Sequence, residues 1–292
     1  MIIILEGSDK VGKSTLARTL CQKYDACSYH FSAPKGDPYK EYMGFLDQAD
    51  PSKNYVLDRF HVGELVYGEL YRGKSKLSLD QLWYLDLRLM SHHAVLVHCS
   101  TDAEMVKRKF IEDREETSKS EDIQVILESF KNKVNLSLLK KFNYDWQDKT
   151  CLPALEKLLD YVVQEPRLSK EELKSYIGIP EPKMLFLGDT RNERMKDKGV
   201  FESRSGKFLV KCIERIGGFS NQAVGITNSD LLTKEFYEKL GKPKIVCLGK
   251  KSLLRTTKLR LSAFHIQHPQ WMFRFGGQNA LNTYCKILKD IK

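Results

Sequence analysis

Short apolar runs alternate along the chain with longer stretches of helical period, the pattern of a layered α/β fold. Ile2–Leu5 is uninterrupted apolar and predicts a buried strand. Leu16, Leu20 and Tyr24 recur on one helix face and predict a helix over Lys13–Tyr24. Asn54–Leu57 reads as a second strand, Leu79–Met90 as a helix and Ala94–His98 as a third strand. Asp102–Ile111 has a helical pattern. Ile123, Ile126, Leu127, Phe130 and Val134 predict one long amphipathic helix over Glu121–Lys140, and Leu152–Val163 closes the segment. His92 and His93 fall at a helix end, with no metal-ligand partner at useful spacing.

A polar stretch opens at Glu165 and Pro166, carries a short helix over Lys170–Ile177, and ends at Gly178, Pro180 and Pro182, which interrupt regular structure. It predicts a linker over 166–182, between a first domain at 1–165 and a second at 183–292. In the second, Lys183–Leu187, Ala223–Thr227 and Lys244–Leu248 predict strands, and Lys207–Ile216, Thr233–Leu240 and Asn279–Lys289 predict helices. The fold class is therefore α/β in both halves, each with its own core. No internal repeat or low-complexity tract interrupts them.

A length of 292 residues suits two cores. No apolar run approaches the roughly 20 residues of a membrane span, so no membrane partner is expected. The start of the chain has no basic segment before its apolar run and reads as a first strand, not a secretory signal. The seven cysteines are scattered without a Cys-x-x-Cys pair, which suits a reducing, cytoplasmic compartment. The net charge of +10 is uneven: residues 181–292 hold 22 Lys and Arg against 10 Asp and Glu, whereas 1–180 hold 26 against 28. Such a field draws polyanions, and DNA is one candidate partner; a plain solvated basic surface accounts for it equally.

The chemistry begins where the first strand ends. Gly7, Gly12, Lys13 and Ser14 form a Gly-x-x-x-x-Gly-Lys-Ser loop between a strand and a helix, the setting of a phosphate-binding P-loop. Its glycines let backbone N–H groups converge on phosphate oxygens, and the helix start adds its positive end. Gly7, Lys10, Gly12, Lys13, Ser14 and Thr15 are the candidate ATP-binding residues, with Lys13 on the β/γ-phosphates and the Ser14 hydroxyl on Mg²⁺. A second signal, Asp58 and Arg59, ends the strand Asn54–Leu57, at the edge where open α/β sheets bind ligands. Asp58 can hold Mg²⁺ or orient an acceptor phosphate, and the planar fork of Arg59 can clamp one.

Glu6, Gly7, Asp9, Gly12, Lys13, Ser14 and Thr15, together with Asp58, Arg59 and Phe60, resemble the motifs of thymidylate kinases. The run from Asp58 through Gly63, Glu64, Tyr67, Gly68, Tyr71 and Arg72 to Gly73 looks most like the thymidylate-kinase-like deoxynucleotide kinases of bacteriophages. This resemblance covers residues 1–163. It implies a P-loop kinase fold, ATP as donor, an acceptor-sugar contact for Asp9, and an acceptor-phosphate and metal role for Asp58 and Arg59. It also implies a possible homodimer. Phe60, Tyr67 and Arg72 join the acceptor-binding set; Phe31, Pro34, Glu64 and Tyr71 are further pocket candidates, each equally suited to ordinary packing. The charged stretch from Lys107 to Asp122 reads as a lid whose Arg108 or Arg114 closes on the transferring group, or as a solvated helix end.

In the second half, Asp189 after a strand, Thr227 and Asn228 after another, Leu248 and Gly249 after a third, and His268 with Pro269 resemble, in order, the uracil-DNA glycosylase superfamily. The resemblance implies Asp189, Asn228 and His268 around a nucleobase. Trp271, Phe273 and Arg274 can stack on a base or pack a small core. The expected activity is transfer of the γ-phosphoryl of ATP to a deoxypyrimidine monophosphate, dTMP or a modified dUMP. Three alternatives stand beside it: a kinase of a hydroxymethylated base within DNA, a bifunctional kinase and glycosylase, and a non-catalytic second half that binds DNA or a partner.

Overall fold

Ile2–Glu6 (β1) is buried at every position, as a strand covered on both faces requires. It centres the first of two units into which the chain divides, Met1–Arg167 and Leu168–Lys292. The structure, a computed structural model, describes residues 1–112, 122–189, 203–217 and 224–291.

In the first unit β1 is followed by α1 (Lys13–Tyr24), β2 (Ala26–His30), α2 (Pro38–Gln48), β3 (Asn54–Asp58), α3 (His61–Arg72) and α4 (Leu79–Ser91). Then come β4 (Ala94–Cys99), α5 (Ala103–Glu112), α6 (Ile123–Val134), β5 (Lys140–Tyr144) and α7 (Cys151–Val163). The five strands form a parallel sheet in the order β2-β3-β1-β4-β5. This is the sheet of P-loop kinases. Ile3 lies opposite Val56 of β3 and Val95 of β4, so the three central strands end together. Leu16 and Leu20 of α1 and Leu155 and Leu159 of α7 share one core with Ile3, Leu5, Val56 and Val97. The chain leaves β1 toward β2 and β3 on one side and later toward β4 on the other. The strand order thus reverses beside β1, which opens a crevice at the carboxyl ends of β1, β3 and β4.

Two strands depart from the sequence reading. The stretch Glu121–Lys140 is not one helix: α6 ends at Val134 and the chain re-enters the sheet as β5. β2 and β5 are edge strands with mostly exposed or half-buried residues, so they lack the apolar run that marks a central strand.

The second unit contains α8 (Lys170–Leu173), β6 (Tyr176–Gly178), β7 (Met184–Gly188), α9 (Arg204–Arg215), β8 (Val224–Asn228) and α10 (Lys234–Lys239). It continues with β9 (Lys244–Cys247), α11 (Lys250–Lys258), β10 (Ala263–His265), α12 (Pro269–Phe275), a short 3₁₀ turn and α13 (Ala280–Lys289). Its mixed sheet runs β10-β9-β7-β8-β6, with only β6 antiparallel. Part of the stretch expected as a linker is therefore structured: Ser169 caps α8 with a reciprocal Glu172 bond, and Tyr176 of β6 is fully buried. The expected helix over Lys170–Ile177 stops after one turn because Tyr176 and Ile177 pair with Thr227 and Ile226. No described helix is long and apolar enough to cross a membrane. All seven cysteines are free.

Candidate active site

The loop after β1 has the backbone of an anion cradle. Gly7, Lys10 and Gly12 all take positive φ, at 150°, 64° and 87°. Such alternation turns successive N–H groups toward one concavity. Gly7 is obligatory: a Cβ there would lie 2.1 Å from the Cys99 carbonyl oxygen at the end of β4. Gly12 caps α1 without a side-chain bond, and no acid stands in the first helical turn. Nothing on α1 itself therefore competes with an incoming anion.

Lys13 is buried, and its ammonium donates to the Gly7 carbonyl at 3.0 Å and to the Ser8 carbonyl. Burial lowers its pKa, against the opposing pull of Asp9. An anion in the cradle offers this cation a stronger partner than two neutral carbonyls.

Asp58, at the end of β3, receives the Ser14 hydroxyl at 3.5 Å and the His30 Nδ1 at 3.1 Å on one carboxylate oxygen. Its other oxygen is buried with no hydrogen-bond partner. A hydroxyl and a carboxylate with a spare buried oxygen fit a Mg²⁺ that takes its remaining ligands from water and phosphate. The described residues hold no cluster of three or more His, Cys, Asp or Glu able to seat a metal alone.

Arg59 adopts φ 65° and pairs through its guanidinium with Asp9, which lies within the phosphate loop. Both side chains are about one-third exposed, at 29% and 35%, so a ligand can reach them. Tyr67 of α3 faces the same pair. Burial raises its pKa, and the Asp9 carboxylate adds to the rise. The Tyr67 ring stacks parallel to Tyr71, with centroids 5.9 Å apart. Arg72 is tied to buried Glu64, which also accepts the Lys76 amide at 2.8 Å. Thus the loop, Asp58, Arg59 and Tyr67 converge, and Arg72 and Glu64 brace the far end of α3.

Not every expected residue is placed at this crevice. Phe60 is 1% exposed and packs on Phe31 and Tyr42 as a core residue, not as an open wall of the crevice. Arg108 lies exposed on α5 and is not brought to the crevice by any contact among the described residues. Arg114 and most of the expected lid lie outside the described residues. Thr15 is exposed in the first turn of α1.

Sequence reasoning passed over Glu6 as a functional element. It is fully buried, and one carboxylate oxygen accepts the amides of Phe60 and Val62 at 3.0 Å each, capping α3. Burial raises its pKa, while those amides and the charge of His61 pull it down. A charged residue closing an apolar strand was the available signal.

In the second unit Asp189, Asn228 and Gly249 lie at the carboxyl ends of β7, β8 and β9, where that strand order also reverses. The Asp189 carboxylate accepts the Ser252 amide at 2.9 Å in the first turn of α11, which makes it a helix-capping acid. Asn228 is buried and its Nδ2 has no partner. His268 caps α12 by accepting the Gln270 amide on Nδ1 at 3.0 Å. Its pKa is lowered by burial, with Asp189 opposing.

The parallel five-stranded sheet, the glycine loop and the buried lysine define a P-loop α/β unit of the kinase type. No family model matches the sequence. It is 29% identical over 147 residues to the SPbeta prophage-derived uncharacterized protein YorR of Bacillus subtilis (strain 168), covering 49% of this chain and 88% of that protein. Among solved structures, YorR from Bacillus subtilis in complex with phosphorylated GDP aligns with a TM-score of 0.49 at 22% identity, over 56% of this chain and 97% of that one. Deoxyadenosine kinase from M. mycoides, solved with products dCMP and dCDP, gives 0.35 at 15% identity, over 55% and 100%. Strand order and the phosphate loop carry the fold assignment on their own.

Proposed function

We propose that the first unit transfers the γ-phosphoryl group of ATP to the phosphate of a deoxypyrimidine monophosphate, dTMP or a modified dUMP. The observation that carries this reading is Arg59. A cation on the acceptor side of a phosphate cradle, held by Asp9 and facing Tyr67, suits a substrate that brings its own phosphate. Lys13 and the loop amides hold the donor phosphates, and Arg59 exchanges Asp9 for the acceptor phosphate. Tyr67 lies flat beside the acceptor's ring, and Arg72 borders it. Ser14 and Asp58 would hold Mg²⁺, which neutralises charge on the phosphates. Catalysis is then positioning and charge stabilisation. Arg108 or Arg114 would supply a further cation on the transferring group. The test is ADP release from ATP across a panel of deoxynucleoside monophosphates and nucleosides. Stimulation by a deoxypyrimidine monophosphate supports the reading; no stimulation by any mononucleotide ends it.

We further propose that the second unit binds nucleobases or DNA. Trp271 and Phe275 on α12 are 48% and 69% exposed, with Arg274 between them, and exposed aromatics beside cations are what a base-stacking surface needs. If so, the acceptor can also be a hydroxymethylated base within DNA, and label from γ-³²P-ATP would then appear on modified duplex DNA. True base excision is the rival reading for this unit. The helix-capping bonds of Asp189 and His268 use one carboxylate oxygen and Nδ1, which leaves the other oxygen and Nε2 for such a use. Base release that survives Lys13→Ala but not His268→Ala would establish it. Salt-dependent DNA binding without base release supports a binding module.

A further inference from the structure

The turn that carries Arg59 is unusual. Arg59 has φ 65°, a left-handed conformation that glycine, asparagine and aspartate adopt far more readily than arginine. Phe60 follows at φ −156°, ψ −126°, outside the helical and extended regions. Such conformations persist where surrounding contacts over-determine them. Here the contacts are buried and polar. On one side the Arg59 amide donates to the Leu5 carbonyl at 3.0 Å, and Glu6 grips the amides of Phe60 and Val62. On the other side His61, the first residue of α3, places Nε2 2.7 Å from Oδ1 of Asp86 on α4. Both side chains are 0% exposed. The second Asp86 oxygen accepts the Leu138 amide at 2.7 Å, just before β5. His61 Nδ1 has no partner, so the ring's one bond is the one to Asp86.

A core of apolar residues would fill this space without burying a carboxylate and an imidazole, and buried pairs of this kind often add little stability over apolar replacements. Their worth lies in direction: a bond of fixed length and angle sets where the first turn of α3 starts. That turn begins two residues after Arg59.

We propose that His61 and Asp86 are positioning residues that hold the Asp58–Phe60 turn, and so fix where the Arg59 guanidinium meets the acceptor. The inference rests on the kinase reading for its activity readout and on the turn's geometry for its second readout.

The test is a double-mutant cycle on the full chain with ATP and the best acceptor of the panel. His61→Leu should lower kcat between roughly tenfold and a hundredfold, the scale of a misplaced reacting group, with the KM for ATP unchanged. His61→Gln, which can still donate to Asp86, should recover most of the loss. In an Arg59→Lys background, where a cation and slow turnover remain but the planar fork is gone, His61→Leu should cost little more, because its effect passes through the aim of the Arg59 guanidinium. Effects that multiply, or an unchanged kcat in a folded His61→Leu protein, overturn the proposal. If His61→Leu does not fold, Asp86→Asn replaces it in the same cycle with the same criteria. If the wild type phosphorylates no acceptor, the kinase reading fails alone, and amide hydrogen exchange decides. The amides of residues 59–62 should exchange faster in the variant while those of 7–15 do not. Unchanged exchange at 59–62 overturns the positioning role.

Discussion

Replacing Gly7 by alanine strikes the phosphate cradle at its tightest point. The new Cβ would sit 2.1 Å from the Cys99 carbonyl oxygen, 3.2 Å from the carbonyl carbon and 3.2 Å from Val11 Cγ2. Carbon–oxygen contacts of this kind settle near 3.3 Å, so the overlap is about 1 Å. A φ of 150° adds about 1–3 kcal/mol of backbone strain for any residue with a Cβ. Neither neighbour yields easily, because Cys99 ends a central strand and Val11 is fully buried. The loop must therefore shift by about 1 Å or the unit must carry the strain. In the first case the amides lose their aim and ATP affinity falls by roughly a hundredfold, a displacement penalty of the same order as for reacting groups. In the second case about 3 kcal/mol of strain lowers Tm by roughly 6–12 °C for a unit of this size. Titration calorimetry with ATP and a thermal melt read both outlets. A Gly7→Ala protein with wild-type affinity and wild-type Tm would refute the loop geometry described here.

Gly44 offers the opposite sign: it lies within α2 with nothing within 4 Å of an added Cβ, so Gly44→Ala should stabilise by about 0.5–1 kcal/mol in urea unfolding. His92 is buried at the end of α4, and burial, seconded by the Arg88 cation, lowers its pKa from 6.5 to about 3. Above pH 6.5 it is neutral folded and unfolded and adds no pH dependence; as pH falls from 6.5 toward 3 the unfolded chain takes up a proton the fold refuses. Stability should drop by about 2 kcal/mol at pH 5 and level off below pH 3, and His92→Phe should remove that loss from urea curves at pH 7.5 and 5. Asp58→Ala should raise the Mg²⁺ concentration needed for half-maximal turnover at least about tenfold, read from a metal titration at saturating ATP. Asp189→Ala should destabilise by about 1 kcal/mol in urea unfolding, as loss of a helix-capping acid does, and leave ATP turnover unchanged.

Where the sequence was legible, single physical signals were strong. Ile2–Leu5 could only be a buried strand, and Gly7, Gly12 and Lys13 after it leave little choice of loop. The helix Lys13–Tyr24 matches its expected bounds. Failures fall where tertiary pairing decides. The helix expected over Glu121–Lys140 ends at Val134, and Lys140–Tyr144, which carries no apolar run of its own, is a strand because Val95–Cys99 offers it a free edge. Tyr176 and Ile177 look helical locally and pair instead with β8. Phe60 looked like a pocket wall because it follows Asp58 and Arg59. In the fold the left-handed Arg59 swings the chain so that Phe60 turns inward among Phe31, Tyr42 and Phe45. The buried bond between His61 and Asp86 was invisible in the sequence, since the two stand 25 residues apart and only the fold brings them together.

The central claim is phosphoryl transfer to a phosphate-bearing acceptor at the loop, Asp58 and Arg59. It is tested most directly by following γ-³²P-ATP with dTMP, the corresponding nucleoside and a modified dUMP, in wild-type, Lys13→Ala and Arg59→Ala proteins. The account predicts label on the monophosphate, none on the nucleoside, and loss in both variants. Label on the nucleoside instead, or transfer to dTMP that survives Arg59→Ala, would contradict it.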